Sequence, residues 1–199
     1  MLPEGNSILE NFAGLLGFVI TIYMWLVIIR AVISWVNPGP HNPFVQFLAK
    51  LTDPPLLYIR RRVPLWVGGI DFSPVLLIIL LMFLNDFLVL SLKALAINKP
   101  LSIIFPIFLG SLINLTNTVL LIFMIFIIAR AVLSWISPDP YNPIVQFIYF
   151  VTEPILGRVR RILPLLFGGF DLTPIAVIAG IYVLMRIMDR LMFAVRGMM

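Results

Sequence analysis

Four apolar stretches constrain this chain more than any other feature. They run roughly from Asn11 to Val36, Phe72 to Leu95, Ser111 to Ile136 and Leu172 to Val195. Each is long enough to cross a hydrocarbon core of about 30 Å as a helix rising about 1.5 Å per residue. Hydrocarbon gives backbone amides no partner, so each stretch is expected to be helical. Composition agrees: 61% of residues are hydrophobic and 12% charged, against about half and about a quarter in soluble domains. The first stretch is expected to persist as a helix. Glu4 and Glu10 precede it without any Lys or Arg, and it exceeds a signal-peptide core of roughly 7–15 residues.

Shifted by 100 residues, the sequence overlays itself without gaps. Arg30-Ala-Val-Ile-Ser-Trp35 meets Arg130-Ala-Val-Leu-Ser-Trp135, Asn42-Pro43 meets Asn142-Pro143, and Thr52-Asp-Pro54 meets Thr152-Glu-Pro154. Arg60, Arg61 and Pro64 meet Arg160, Arg161 and Pro164, and Gly68-Gly-Ile-Asp71 meets Gly168-Gly-Phe-Asp171. Between positions 30 and 74, 23 of 45 pairs are identical, which marks a duplication. The expected domains are residues 1–100 and 101–199. Each has two spans, an even number, so the copies enter the membrane in the same orientation. The expected architecture is therefore all-α and integral to the membrane. Its four transmembrane helices form two parallel tandem repeats, each with an amphipathic, interfacial helical loop.

Lys50, Arg60, Arg61 and Arg62 follow the first span, and Arg158, Arg160 and Arg161 follow the third. The other side holds Lys99 and Arg196, with Lys93 and Arg190 near span ends. The positive-inside rule then puts loops 37–71 and 137–171 in the cytoplasm and both termini outside. The formal net charge is +5. Because the basic residues sit beside spans, anionic lipid is the expected partner and nucleic acid is not.

The shared residues also order the loops. Asn42-Pro43 and Asn142-Pro143 have the form of helix starts, as do Asp53-Pro54 and Glu153-Pro154. Each loop is thus expected to hold two short amphipathic helices. Arg60, Arg61, Arg62, Arg158, Arg160 and Arg161 would point toward lipid phosphates or a partner, or act simply as topological charge. Gly68-Gly69 and Gly168-Gly169 are expected to turn the chain back. Ser73-Pro74 and Thr173-Pro174 should cap the returning spans, with Asp71 and Asp171 favouring the helix dipole just before them.

This pattern closely resembles the YggT family, also called YlmG, over nearly the whole chain. It comprises Arg-Ala-Val-x-Ser-Trp, Asn-Pro, Thr-[Asp/Glu]-Pro, Arg-Arg, Pro and Gly-Gly-x-Asp-x-[Ser/Thr]-Pro. The resemblance implies a multi-pass protein of the bacterial inner membrane acting in envelope or membrane biogenesis. Family roles in cell division, assembly of membrane complexes and tolerance of osmotic stress with potassium uptake come with it as expectations. Departures between the copies are Asp53 against Glu153, and Pro55 against Ile155.

Charges inside spans are a functional signal. Arg30 and Arg130 lie about 9 Å before the loop-side ends of their spans. They are expected to snorkel to phosphate, or to bond loop carbonyls or Asp71 and Asp171. Asp86 lies roughly 21 Å into the second span, and the repeat sets it against Arg186. An Asp86–Arg186 contact is expected, or a wider set with Asn85, Asp189 and Arg190. It would serve either as a structural ion pair or as part of an ion or proton path; the remaining alternative is that Arg186 pairs locally with Asp189 while Asp86 stays protonated. Asn114, Thr116, Asn117 and Thr118 at the start of the third span are expected to hydrogen-bond between helices.

No enzyme chemistry is expected. His41 is the only histidine and the chain has no cysteine, so thiol nucleophiles and thiolate metal sites are excluded, and neither cofactor nor metal is anticipated. Two function classes remain. One is a scaffold or assembly factor binding anionic lipid or other membrane proteins. The other is a small potassium channel or transporter, which would need a homo-oligomer to enclose a pore.

Overall fold

The computed structural model describes residues 6–36, 42–63, 65–67, 70–136, 139–164, 166–167 and 170–198. Pro64, Gly68, Gly69, Gly168 and Gly169 lie outside the described residues, as do the side chains of Trp35, Trp135 and Pro143. The described chain is helical apart from two two-residue hairpins. Helix α1 spans Ser7–Val36, α2 Pro43–Arg62, α3 Ser73–Ala96, α4 Ile104–Ile136, α5 Pro143–Ile162 and α6 Thr173–Arg196. Strands β1 (Trp66–Val67) and β2 (Ile70–Asp71) pair before α3. Strands β3 (Leu166–Phe167) and β4 (Phe170–Asp171) pair antiparallel before α6, with Leu166 opposite Asp171.

Among the described residues, three helices are long and apolar enough to cross a membrane: Ser7–Ser34, Ser73–Ala96 and Leu101–Ser134. These are the first three of the four expected spans. Helix α6 forms over the expected segment, but Arg186, Asp189 and Arg190 crowd three charges into two of its turns. The third span also starts earlier than Ser111. A 3-10 turn at Leu101–Ile103 leads into α4 at Ile104, and Pro106 sits in the first turn, where its missing amide costs nothing. Asn98 ends α3 in the left-handed region, at φ 57°. Its amide and that of Lys99 close back on the Leu95 and Ala94 carbonyls at 3.0 Å each, the paired bonds of a helix stop.

Each loop holds one helix rather than two. Asn42 accepts from the Phe44 amide at 2.9 Å and Asn142 from the Ile144 amide at 2.9 Å, so the asparagine caps form as expected. The second expected start does not break the helix, because Pro54, Pro55 and Pro154 lie inside it. In α2, the carbonyl that Pro55 leaves without an amide partner is that of Leu51. It accepts instead from the Tyr23 hydroxyl of α1 at 3.0 Å.

The described chain divides into two compact units, one built mainly on residues 6–115 and the other on 116–191. In the first, Val27 of α1, Leu56 of α2 and Leu77 of α3 form the core, with Tyr23, Ile59, Ile78 and Leu81 against it. In the second, Ile127 of α4, Leu156 of α5, and Val177 and Ile181 of α6 form the core. The first three pairs are repeat equivalents, so duplication in sequence is duplication in packing. Both loop helices are thereby pinned to their spans by a fully buried leucine, and burying such a side chain stabilises by about 1.5–3 kcal/mol. The remaining span surface is apolar and exposed, including Phe12, Phe18, Trp25 and Ile29 on α1. A lipid-facing helix has that surface, and a soluble one lacks it.

Candidate functional site

The duplicated polar residues converge on the loop helices. Asp71 Oδ1 accepts from the Ser73 amide at 2.9 Å, and Asp171 Oδ1 from the Thr173 amide at 2.9 Å. The aspartates therefore cap the returning helices, while Ser73 and Thr173, expected as caps, are the first helical residues. The second carboxylate oxygen takes an arginine. Arg60 Nε donates to Asp71 Oδ2 at 2.7 Å, and Arg160 donates to Asp171 Oδ2 through Nη2 at 2.6 Å and Nε at 3.1 Å. This corrects the outward orientation expected for Arg60 and Arg160. Each ties the C-terminal turn of its loop helix to the N-terminus of the next helix, α3 or α6. Burial pushes the Asp171 carboxyl up, but the contacts with Thr173 and Arg160 outweigh burial and hold it below the usual aspartate value.

A second clamp joins each loop helix to the preceding span. Arg30 Nη2 stands 3.5 Å from Asp53 Oδ1. Arg130 pairs with Glu153, donates to Thr152 Oγ1 at 2.9 Å, and lies over the Tyr149 ring at 4.3 Å from its centroid. Arg130 is only 8% exposed, a burial that a guanidinium tolerates only when paired. Neither arginine takes Asp71 or Asp171 as its partner. The acid of Thr-[Asp/Glu]-Pro reaches the span arginine first. Glu153, one methylene longer than Asp53, also approaches Arg160 at 3.6 Å. In the second unit the four charges thus form a chain, Arg130–Glu153–Arg160–Asp171.

Among the described residues, Arg61, Arg62, Arg158 and Arg161 form no ion pair. All four are exposed, and Arg62 lies over the Tyr58 ring at 5.3 Å. The six loop arginines therefore split into two that clamp and four that carry uncompensated charge.

The polar residues of α3, α4 and α6 find partners within their own units. In the first, Asn114 Nδ2 donates to Asp86 Oδ2 at 3.0 Å. In the second, Asn117 Nδ2 donates to Asp189 Oδ1 at 3.3 Å, so the expected bonds from the start of the third span form. Arg186 donates to the Tyr182 hydroxyl from Nη2 at 2.6 Å and Nε at 3.0 Å. Asp86 and Arg186 belong to different units. Arg190 lies exposed on α6. At the site equivalent to Asn117–Asp189, Gly17 packs so close to Val89 that a Cβ there would stand 3.0 Å from Val89 Cγ2. One copy makes this helix contact with a small residue and the other with a hydrogen bond.

Tyr23, Tyr149 and Tyr182 escaped the sequence reading, and Thr152, read only as part of the repeat motif, was not foreseen as a partner of Arg130. For Tyr23 a signal existed. The copy with Pro55 has Tyr23, and the copy with Ile155 has Phe123.

The CCB3/YggT family profile matches twice, over residues 9–92 and 109–192, again 100 residues apart. The chain is 31% identical to the uncharacterized protein PA0392 of Pseudomonas aeruginosa over 178 residues, covering 89% of this chain and 88% of that one. It is 28% identical to the uncharacterized protein YggT of Escherichia coli over 176 residues, 88% of each chain. It is 34% identical to an uncharacterized protein of Vibrio alginolyticus over 173 residues, 87% of this chain and 90% of that one. No solved structure matches it. Two profile matches, together covering most of the chain, make it a two-repeat membrane protein of the CCB3/YggT family.

Proposed function

We propose that this chain is a non-enzymatic organiser of the bacterial inner membrane, holding anionic lipid headgroups or partner membrane proteins against two fixed basic helices. The observation that carries this reading is the division of labour among the loop arginines. Arg60 and Arg160 lock α2 and α5 to the spans through Asp71 and Asp171, while Arg61, Arg62, Arg158 and Arg161 remain exposed beside them. A fixed helix presents its charges without further loss of backbone freedom on binding, which favours recognition. The surplus of basic residues in both loops supports a cytoplasmic location for them and a periplasmic location for both termini. Such a helix would act at the headgroup level, where each Lys or Arg near an anionic surface contributes about 1 kcal/mol. Roles in envelope organisation, cell division or osmotic tolerance would follow from gathering lipids or membrane complexes there.

Spin-labelled lipids test the reading on the reconstituted full chain. Motionally restricted phosphatidylglycerol should exceed phosphatidylcholine at equal mole fraction. The preference should vanish when Arg61, Arg62, Arg158 and Arg161 are replaced by Gln together. Equal restriction of both lipids by the native chain would refute headgroup recognition.

A second reading is favoured by one observation. Asp86 is a carboxylate within a span whose partner is the neutral Asn114. Ionisable groups at such depth mark ion paths in transporters, and under this reading oligomers of the chain conduct a cation past Asp86.

A further inference from the structure

The two basic helices are not equivalent. On α5 a cleft of about 690 Å³ opens beside Phe150, Glu153, Pro154, Gly157, Arg158 and Arg161. Residues 150, 154, 157, 158 and 161 recur at helical spacing, so they form one stripe. Thr152 and Leu156, both fully buried, lie on the other side of the helix. The cleft therefore faces away from the unit's core. Its volume falls in the range of about 300–1,000 Å³ common for small-ligand sites.

Gly157 gives the cleft its opening. A Cβ there would stand 3.3 Å from Glu153 Oε1, so any larger side chain both fills the space and presses on Glu153. The charge at the cleft is positive. Glu153 is matched by Arg130 and Arg160, which leaves Arg158 and Arg161 uncompensated. Next to them lie the exposed ring of Phe150 and the apolar edge of Pro154. The occupant must therefore combine an anion with hydrocarbon. The same stripe on α2 reads Lys50, Pro54, Leu57, Tyr58 and Arg61. There a leucine replaces the glycine, and a tyrosine replaces the first arginine.

We propose that the cleft at Gly157 seats one anionic phospholipid, its phosphate held by Arg158 and Arg161 and an acyl chain lying along Phe150 and Pro154. This rests on the lipid-binding reading above and assigns it a single position in the second copy. The charge pairing is of the bidentate arginine–phosphate kind, and the apolar wall explains why a lipid rather than free phosphate would stay.

Native mass spectrometry of the full chain in mild detergent, with phosphatidylglycerol and phosphatidylethanolamine added, tests the proposal. The native chain should retain one phosphatidylglycerol above all others. Gly157→Leu should weaken retention about tenfold, and Arg158→Gln with Arg161→Gln by at least as much, while Arg61→Gln with Arg62→Gln should cost less than either. Helix content by circular dichroism checks folding. If Gly157→Leu does not fold, the gain-of-site variant Lys50→Phe with Leu57→Gly and Tyr58→Arg decides: a second tightly held phosphatidylglycerol supports the cleft, and none overturns it. Undiminished retention in the folded Gly157 and arginine variants overturns it too. Equal losses from the α2 and α5 arginine pairs would overturn the cleft while leaving general headgroup recognition intact. Equal retention of phosphatidylethanolamine and phosphatidylglycerol would remove both.

Discussion

The Tyr23 hydroxyl donates to the Leu51 carbonyl at 3.0 Å, the one acceptor that Pro55 strips of its helical amide. The second copy has neither the tyrosine nor the proline, but Phe123 and Ile155. The two differences are one difference. A proline in the interior of a helix leaves a carbonyl unsatisfied, and a buried unsatisfied group costs about 1–3 kcal/mol.

It follows that Tyr23→Phe destabilises the chain by about 1–2 kcal/mol. Adding Pro55→Ile restores most of the loss, because Ile supplies its own amide to Leu51. Unfolding in mixed micelles over the four members of the double-mutant cycle reads the coupling. Additive effects would contradict the assignment.

Leu56 and Leu156 are both 0% exposed and occupy equivalent positions in their cores. Leu56→Ala and Leu156→Ala should each cost about 2–5 kcal/mol, with similar effect. Loss from only one of them would mean that one loop helix is not pinned to its spans.

The Arg160–Asp171 pair predicts a pH dependence. The folded Asp171 pKa lies below its ordinary value, so its stabilisation is complete above the unfolded value of about 3.9 and fades as pH falls through the lower folded value. Thermal unfolding between pH 6 and pH 3 should show an acid-dependent loss that shrinks in Asp171→Asn, which keeps an oxygen for the Thr173 amide. Identical acid slopes in both proteins would contradict the pair.

Asn117 and Asp189 replace the Gly17–Val89 contact of the first copy. Asp189→Val alone leaves an amide without its acceptor and should destabilise by about 1 kcal/mol. Combined with Asn117→Gly, it recreates the apolar contact and should recover the native unfolding midpoint. A double variant no better than the single one would show that the two contacts are not interchangeable.

Much of this was legible in the sequence. The apolar stretches and the 100-residue register carry the helices, the duplication and the asparagine caps, because hydropathy and capping act locally. The partners of the charges were not legible. Arg60 lies 11 positions before Asp71, and only the folding back of the chain, with β2 paired to β1, brings the two together. Arg130 lies 23 positions before Glu153, and no helical periodicity links a span to a loop helix. Pro54 read as a helix start because proline is favoured there. Its place inside α2 depends on packing against the spans, with Leu56 buried two residues later, which overrides local preference.

The central claim is that the chain recognises headgroups or partners through α2 and α5 rather than conducting ions past Asp86. The most direct test is potassium flux from liposomes containing the purified chain, measured beside Asp86→Asn. The account predicts no flux above protein-free liposomes for either protein. Potassium flux through the native chain that Asp86→Asn abolishes would contradict it and establish the conducting reading.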